Sequence, residues 1–244
     1  MGASGWRGPV KLALFGHGGM GAVLAERARA AGHEIGAVFT SADAARGHDQ
    51  LAARLRQHDA AIDFSSPDAV LAHAMACARA GVPLVEGTTG WREQEQSVQS
   101  IVESSGGALV YSANFSIGAN ILFRLAAQAA KLVQVFRDYD VFIEEAHHAA
   151  KRDAPSGTAR RLYDILTRAS GRPIPVVSLR AGHIPGTHRV GLDSPADQLV
   201  LEHVARSREG FAAGALVAAR WIRGRRGVFS FDDVVDDLLA SLKA

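Results

Sequence analysis

The sequence predicts an α/β protein. Its first part is a parallel sheet covered by helices on both faces, and its second is an α+β part with a mixed, mostly antiparallel sheet. Three observations carry this. Between residues 10 and 111 short apolar runs alternate with helical patterns, the rhythm of strand–helix units in a parallel sheet. After Asn114 that rhythm stops, and one long helix is followed by strands of alternating character. The chain has 244 residues, 48% of them hydrophobic and 21% charged, an ordinary globular balance with room for one large domain or two modest ones.

The elements follow in order. Residues 10–16 (VKLALFG) form a buried strand that ends in glycine. Met20, Leu24, Ala28 and Ala31 then recur near helical spacing, and Gly32 suits the C-terminal cap. Residues 34–40 are the next strand. Residues 42–58 are mixed and polar, with a helix around Gln50–Gln57. A short strand at 59–64 leads to Pro67, which suits the first turn of a helix over 67–80 that Gly81 ends. A strand at 82–85, a polar-faced helix at 92–105 and a strand at 108–111 complete the first part.

In the second part, residues 118–136 read as one helix with Ile121, Leu122, Leu125, Ala129, Leu132 and Val133 on its apolar face. A strand at 139–145 and a Gly/Pro loop precede a helix over 157–169, whose Leu162, Ile165, Leu166 and Ala169 share one face. Strands at 176–180, 188–193 and 198–204, a small-residue helix at 209–222 and an amphipathic helix at 231–242 close the chain. The boundary between lobes falls near 115.

Composition removes several classes. Twenty-seven basic against 25 acidic residues give a net charge of +2, too small a margin for a nucleic-acid binder. The single cysteine, Cys77, excludes a disulfide framework and a cysteine metal site; it lies in an Ala-rich helix and reads as core. Residues 1–9 are polar and Gly-rich, a loose end rather than a secretory signal. The longest charge-free run, 104–123, holds four Ser, two Asn and three Gly and is no membrane span. The expectation is a soluble, cytoplasmic protein that binds neither nucleic acid nor membrane. Only four of the basic residues are Lys, against 23 Arg, in a chain with 44 Ala. Against that background a lysine is a departure from the default.

Gly16-His17-Gly18-Gly19-Met20-Gly21 lies between the first strand and the first helix. A strand, a tight glycine turn and a helix N-terminus make an anion site, the form that receives a dinucleotide pyrophosphate. An Asp or Glu at the end of the second strand would bind the ribose of NAD; Thr40 and Ser41 stand there instead, with Arg46 a few residues on. The absent carboxylate leans the reading to NADPH, with NADH also open. Gly87-Thr88-Thr89-Gly90 and Asn114-Phe115 end the fourth and fifth strands, where a doubly wound sheet presents its ligand crevice.

The second cluster reads Glu144-Glu-Ala-His147-His148-Ala-Ala-Lys151-Arg-Asp153-Ala-Pro155-Ser156-Gly157-Thr158. One segment supplies two imidazoles, an ammonium and the N-terminus of the 157–169 helix. That set suits a small substrate with two carboxylates together with proton transfer. Adjacent histidines on a strand point to opposite faces, and no cysteine or third histidine lies near, so no metal is expected.

These residues resemble one family, 4-hydroxy-tetrahydrodipicolinate reductase, also called dihydrodipicolinate reductase. The run from Glu145 to Thr158 matches its signature E-x-H-H-x-x-K-x-D-A-P-S-G-T. Gly87-Thr-Thr-Gly90, Asn114-Phe-Ser-Ile-Gly118 and the stretch Arg208…Phe211-Ala…Gly214-Ala215-Leu216 extend the match over nearly the whole chain. The resemblance implies a Rossmann-type cofactor domain, residues 1–115 rejoined by 223–244, and a substrate-binding and oligomerisation domain over 116–222. It implies a homotetramer built through the second-domain sheets. It implies NADPH- or NADH-dependent reduction of a cyclic dicarboxylate in lysine and diaminopimelate biosynthesis. By position His147 and Lys151 match the catalytic pair, and His148, Ser156, Gly157 and Thr158 match residues that hold the substrate carboxylates. Gly16 to Gly21, Gly87 to Thr89, and Ser112, Ala113, Asn114 and Phe115 match cofactor-binding segments. The glycine turn is one residue shorter than the family's common form, and Thr40-Ser41 replaces its acidic-plus-basic pair. Two rivals stand beside this reading: another nicotinamide dehydrogenase of the same two-lobe plan, and a cofactor-sensing protein without chemistry.

Overall fold

The computed structural model describes residues 8–44, 47–136 and 138–241. Arg46, the loose end up to residue 7 and the last residue of the final expected helix lie outside them. In chain order the elements are β1 (Lys11–Phe15), α1 (Gly19–Ala30), β2 (Glu34–Phe39), α2 (Ser41–Ala44), α3 (His48–Leu55), β3 (Ala60–Asp63), α4 (Val70–Ala80), β4 (Leu84–Glu86), α5 (Glu95–Ser104) and β5 (Ala108–Tyr111). There follow α6 (Ile117–Val133), β6 (Asp140–His147), α7 (Gly157–Ser170), β7 (Val176–Arg180), β8 (Gly186–Asp193), β9 (Gln198–Ala205), α8 (Glu209–Trp221), β10 (Gly227–Ser230) and α9 (Phe231–Ala240).

The chain divides into two units. One runs to Phe115 and resumes at Phe211; the other is Ser116–Gly210. The first holds a parallel sheet of six strands in the order β10-β5-β4-β3-β1-β2. Strand periodicity sorts its side chains into two layers. Leu12 and Leu14 of β1 pack with Leu24 and Ala28 of α1, Ala215 and Ala218 of α8 and Val234 of α9. Ala13 and Phe15 pack the other way, with Leu51 of α3, Val70, Ala74 and Cys77 of α4 and Val98 of α5. Both faces are therefore covered, which is why these strands read as continuous apolar runs. A short 3-10 turn at Pro67–Ala69 starts the fourth helix, and Gly81 ends it in the left-handed conformation, φ 71°.

Two features of this unit escaped the periodicity. β10 is a sixth strand, parallel to β5; its four residues (GVFS) follow a Gly/Arg-rich turn and carry too few apolar positions to stand out. The chain also rejoins the first unit at Phe211, not at 223. The cause is α8, whose Ala212, Ala215, Ala218 and Ala219 are fully buried in the first core. Small side chains let that helix approach closely: a Cβ on Gly214 would collide with the Phe115 carbonyl oxygen.

The second unit is a mixed sheet in the order β7-β6-β8-β9, with β7 parallel to β6 and the other pairs antiparallel. α6 and α7 cover one face, burying Val141, Ile143, Val190 and Leu192 against Leu162 and Leu166. The side chains of Ser116 and Ser156 cap the two helices by accepting from Ala119 N–H and Ala159 N–H. The apolar face of α6 needs correction. Leu122 is buried, but Ile121, Leu125 and Leu132 are exposed, and the core stripe is Ala119, Leu122, Phe123, Ala126 and Ala130. The helix is apolar around most of its girth, so periodicity alone could not choose the side, and close packing against α7 favours the alanines. Among the described residues no helix is long and apolar enough to cross a membrane.

Gly214→Ala is expected to lower stability by about 1–3 kcal/mol through backbone displacement of α8, read as a lower denaturant midpoint at unchanged slope.

Candidate active site

In the first unit the glycine turn sits where the sheet order reverses, with β2 on one side of β1 and β3 on the other. Gly16 has φ 93°, and a Cβ there would lie 2.5 Å from the Phe64 carbonyl oxygen at the end of β3, so only glycine fits. His17, Gly18 and Gly19 are exposed, Met20 half-buried and Gly21 buried. α1 begins at Gly18 with no side-chain cap and no acidic residue in its first turn, and a Cβ on Gly18 would meet nothing within 4 Å. Uncapped N–H donors, the positive end of a helix dipole and open space above a glycine fit a dinucleotide pyrophosphate.

At the end of β2 the structure adds a carboxylate. Thr40 and Ser41 are exposed, but Asp43 reaches back, its Oδ2 accepting from Thr40 N–H at 3.0 Å and Thr40 Oγ1–H at 3.1 Å. Arg54 Nη1 pairs with Asp43 Oδ1 at 2.5 Å. The Thr40 N–H and the Arg54 guanidinium hold the Asp43 carboxyl down at about 2. The sequence predicts no carboxylate here, whereas Asp43 stands beside Thr40. A turn of helix, α2, folds residue 43 back over the strand end; the acid lies three residues beyond the position where the motif places it.

Beyond β4 and β5 a cavity of about 180 Å³ is lined by Thr88, Thr89, Gly90, Trp91, Arg92, Glu95, Tyr111, Ser112 and Ala113. The strand ends that carry these turns hold buried polar groups. Glu86 Oε1 accepts from Thr88 N–H at 2.7 Å, and Asp63 accepts from Ser65 N–H at 2.9 Å and lies 2.6 Å from His73 Nδ1. Burial, and then the charge of Asp63, push the Glu86 carboxyl well up. Ser112 Oγ donates to the Asn114 carbonyl and accepts from its N–H, shaping the turn after β5. The Phe115 ring is buried against Phe64 and Phe231; its side chain anchors this turn from below.

In the second unit β6 ends at His147, which is buried, while His148 points out and is exposed. The loop that follows is held by Lys151 N–H to the His148 carbonyl, 3.1 Å, and carries a cis Ala154–Pro155 bond into Ser156. Lys151 Nζ pairs with Asp153 Oδ1 at 2.7 Å. Gly157 is exposed and Thr158 half-buried at the start of α7, whose first turn has no acidic residue. Beneath this surface lies Glu145. Its Oε1 accepts from Ser156 N–H at 3.0 Å, Ser178 Oγ–H at 2.7 Å and Arg180 Nη2–H at 2.7 Å. Burial opposes ionisation, yet these donors hold the carboxyl at about 2. Burial pushes His147 down, against the pull of Glu145 and with the push of Arg180 and Lys151. His188, on β8, is pushed down to about 4 by burial and by His147.

Two family models match in tandem: dihydrodipicolinate reductase, N-terminus, over residues 10–115, and dihydrodipicolinate reductase, C-terminus, over 118–235. The chain belongs to the dihydrodipicolinate reductase family. It is 36% identical to a 4-hydroxy-tetrahydrodipicolinate reductase of Christiangramia forsetii across 94% of this chain and 99% of that one. It is 38% identical to one of Methanosarcina barkeri across 72% and 73%. Its fold matches a dipicolinate-bound dihydrodipicolinate reductase from Paenisporosarcina sp. TG-14, with a TM-score of 0.74 and 21% identity over 91% of this chain and 98% of that one.

Within this reductase fold the sequence reading missed the supports. His188 lies 41 positions after His147, yet its ring stands 5.1 Å from that of His147, because β8 returns antiparallel beside β6. So a third histidine does lie near. Glu145, His147 and His188 are the one group with metal-ligand spacing found among the described residues. The Glu145 carboxylate already has a cation in Arg180. Ser178 and Arg180 share the inward face of β7, alternating with exposed Val177 and Leu179, a pattern that gives no signal until the strand is paired.

Glu86→Gln tests the buried acid that holds the Thr88 backbone. The folded state pushes the Glu86 carboxyl well up, so its contribution is full at acidic pH and is lost as pH rises from the ordinary carboxylate range toward the raised value. The glutamine variant keeps the Oε1 acceptor and has no proton to lose. Its stability relative to wild type should therefore rise with pH, measured as denaturant midpoints from acidic to mildly alkaline buffer.

Proposed function

We propose that this chain uses NAD(P)H to reduce 4-hydroxy-tetrahydrodipicolinate, or dihydrodipicolinate, to tetrahydrodipicolinate in lysine and diaminopimelate biosynthesis, in the cytoplasm. The observation that carries the reading is the second-unit site. An imidazole, an ammonium and a helix N-terminus converge there in a chain whose two halves both belong to the reductase family. The first unit, through residues 16–21, 87–89 and 112–115, is the cofactor domain; the second is the substrate domain.

When bound, the reduced nicotinamide supplies a hydride to C4 of the ring double bond. Lys151, fixed by Asp153, and the α7 N-terminus at Ser156, Gly157 and Thr158 hold a substrate carboxylate, with His148 beside them. They also stabilise the negative charge that moves toward the ring nitrogen as the double bond is consumed. His147 or Lys151 gives the neighbouring carbon a proton and regains it from solvent. In the free site burial pushes the His147 imidazole down, and Arg180 and Lys151 add to that effect. A bound dicarboxylate offsets those cations and raises the imidazole toward protonation, so the substrate prepares its own acid. Where the substrate arrives hydroxylated, the same pair assists loss of water.

At the adenosine end, Asp43 paired with Arg54 places both charges by the ribose, and we assign use of both NADH and NADPH. The homotetramer is supported by the uncovered sheet face. There exposed Val177, Leu179, Val200 and Val204 flank the ion-pair row Glu144–Arg189–Glu202.

Lys151→Ala should reduce turnover about 10²–10⁴-fold in an assay of NADPH oxidation dependent on dihydrodipicolinate, with NADPH binding retained by fluorescence titration. Near-normal turnover would sink the assignment. Asp43→Asn should shift kcat/KM toward NADPH over NADH by about tenfold, because the repulsion of a 2′-phosphate is removed; an unchanged ratio would remove Asp43 from cofactor choice.

A further inference from the structure

Among the buried polar atoms of the second unit that lack a partner with hydrogen-bond geometry are Glu145 Oε2 and His147 Nδ1. They lie 3.0 Å from each other. One is an acceptor on an ionised carboxylate, and the other becomes a donor as soon as its nitrogen carries the proton. Everything around the pair fixes the carboxylate and leaves the ring room to turn. Oε1 is saturated by Ser156, Ser178 and Arg180. A Cβ on Gly186 would stand 3.1 Å from His147 Nε2, so glycine leaves space on that side. His188 is engaged elsewhere, its Nε2 3.0 Å from Ser156 Oγ, and lies 3.8 Å from Glu145 Oε2.

We infer that Glu145 is the positioning residue of the reaction: it holds the His147 proton on Nδ1, turns Nε2 toward the substrate, and stabilises the imidazolium when Nε2 is also protonated. This rests on the reading of His147 as the acid/base residue. The logic is that of an orienting carboxylate behind a working imidazole. Proton balance is simple. Nε2–H gives its proton to the ring carbon, the bonding pair stays on nitrogen, and Nε2 regains a proton from water while Nδ1–H never leaves Glu145. Other groups facing His147 act in the opposite sense or weakly: Arg180 from β7, His188 from β8 and Lys151 from the loop oppose the imidazolium, and Asp153 favours it. The Glu145 carboxylate, 3.0 Å from Nδ1, is the main group that favours the imidazolium against burial.

The other oxygen of this carboxylate, Oε1, accepts from Ser156 N–H at the cap of α7, which gives loss of Glu145 a second route, the loosening of that helix. The test separates the two roles. Glu145→Gln, Glu145→Asp, His147→Gln and the Glu145→Gln/His147→Gln pair are assayed for dihydrodipicolinate reduction across the neutral and alkaline range, with NADPH affinity and folding followed in parallel. The expected result has four parts. Glu145→Gln lowers kcat about 10–100-fold, moves the alkaline limb that His147→Gln abolishes down by about one pH unit, and leaves NADPH affinity unchanged. Glu145→Asp restores the limb. The double variant is no slower than His147→Gln within about threefold. A loss of kcat with an unmoved limb, or an equal further loss in the His147→Gln background, would overturn the inference in favour of a prop for α7. Stoichiometric zinc in purified wild type, whose removal reproduces the Glu145→Gln phenotype, would overturn it in favour of a metal site. Should Glu145→Gln not fold, ¹⁵N spectra of wild-type histidines decide, since a His147 proton on Nε2 contradicts the inference. Absence of reductase activity in folded wild type would sink the functional reading instead, and the tautomer measurement would still stand on its own.

Discussion

Glu145 Oε1 receives hydrogen from three places at once: the N-cap of α7, the hydroxyl of Ser178 and the guanidinium of Arg180. A buried carboxylate costs several kcal/mol unless it is fully satisfied, so this oxygen dictates the arrangement of what surrounds it. β7 must pair in the register that turns Ser178 and Arg180 inward. The loop from His148 to Pro155 must end with Ser156 N–H over the strand. With those conditions met, the start of α7 is aimed at the same place as His147. The N-terminus of α7 and the His147 ring are thus set by one shared constraint.

The first unit solves a similar problem differently. Asp63 and Glu86, at the ends of adjacent strands β3 and β4, are both buried. Asp63 meets His73 Nδ1 at 2.6 Å, and burial, with the charge of Asp63, pushes the Glu86 carboxyl well up. The Thr88 backbone is tied to Glu86, so the Gly-Thr-Thr turn is shaped by a buried acid while Thr88, Thr89 and Gly90 line the cavity. In both units, then, exposed residues that read as functional are posed by buried polar groups that do not.

That difference explains what the sequence disclosed. The parallel strands and their helices were legible because burial on both faces produces long apolar runs, and the signature from Glu145 to Thr158 because it is contiguous. His188, Ser178 and Arg180 were not, since each is an ordinary residue type whose meaning depends on strand pairing 31 or more positions away from His147. Asp43 was missed through a local effect, one turn of helix bringing a later residue back to Thr40. The exposed side of α6 was misjudged because both of its faces are apolar, and β10 because four residues after a Gly/Arg turn give periodicity nothing to act on.

The return of the chain at Phe211 has a consequence for how the molecule is made. The sheet of the first unit takes its sixth strand from residues 227–230, and its upper layer from α8 and α9. During synthesis from the N-terminus that sheet stands with an open edge beside β5, and with Leu12 and Leu14 short of cover, until Ser230 has left the ribosome. The second unit, Ser116–Gly210, is continuous and has its whole core available earlier. The half that begins first is therefore the half that finishes last, and its unpaired strand edge is the interval of greatest exposure to misassociation.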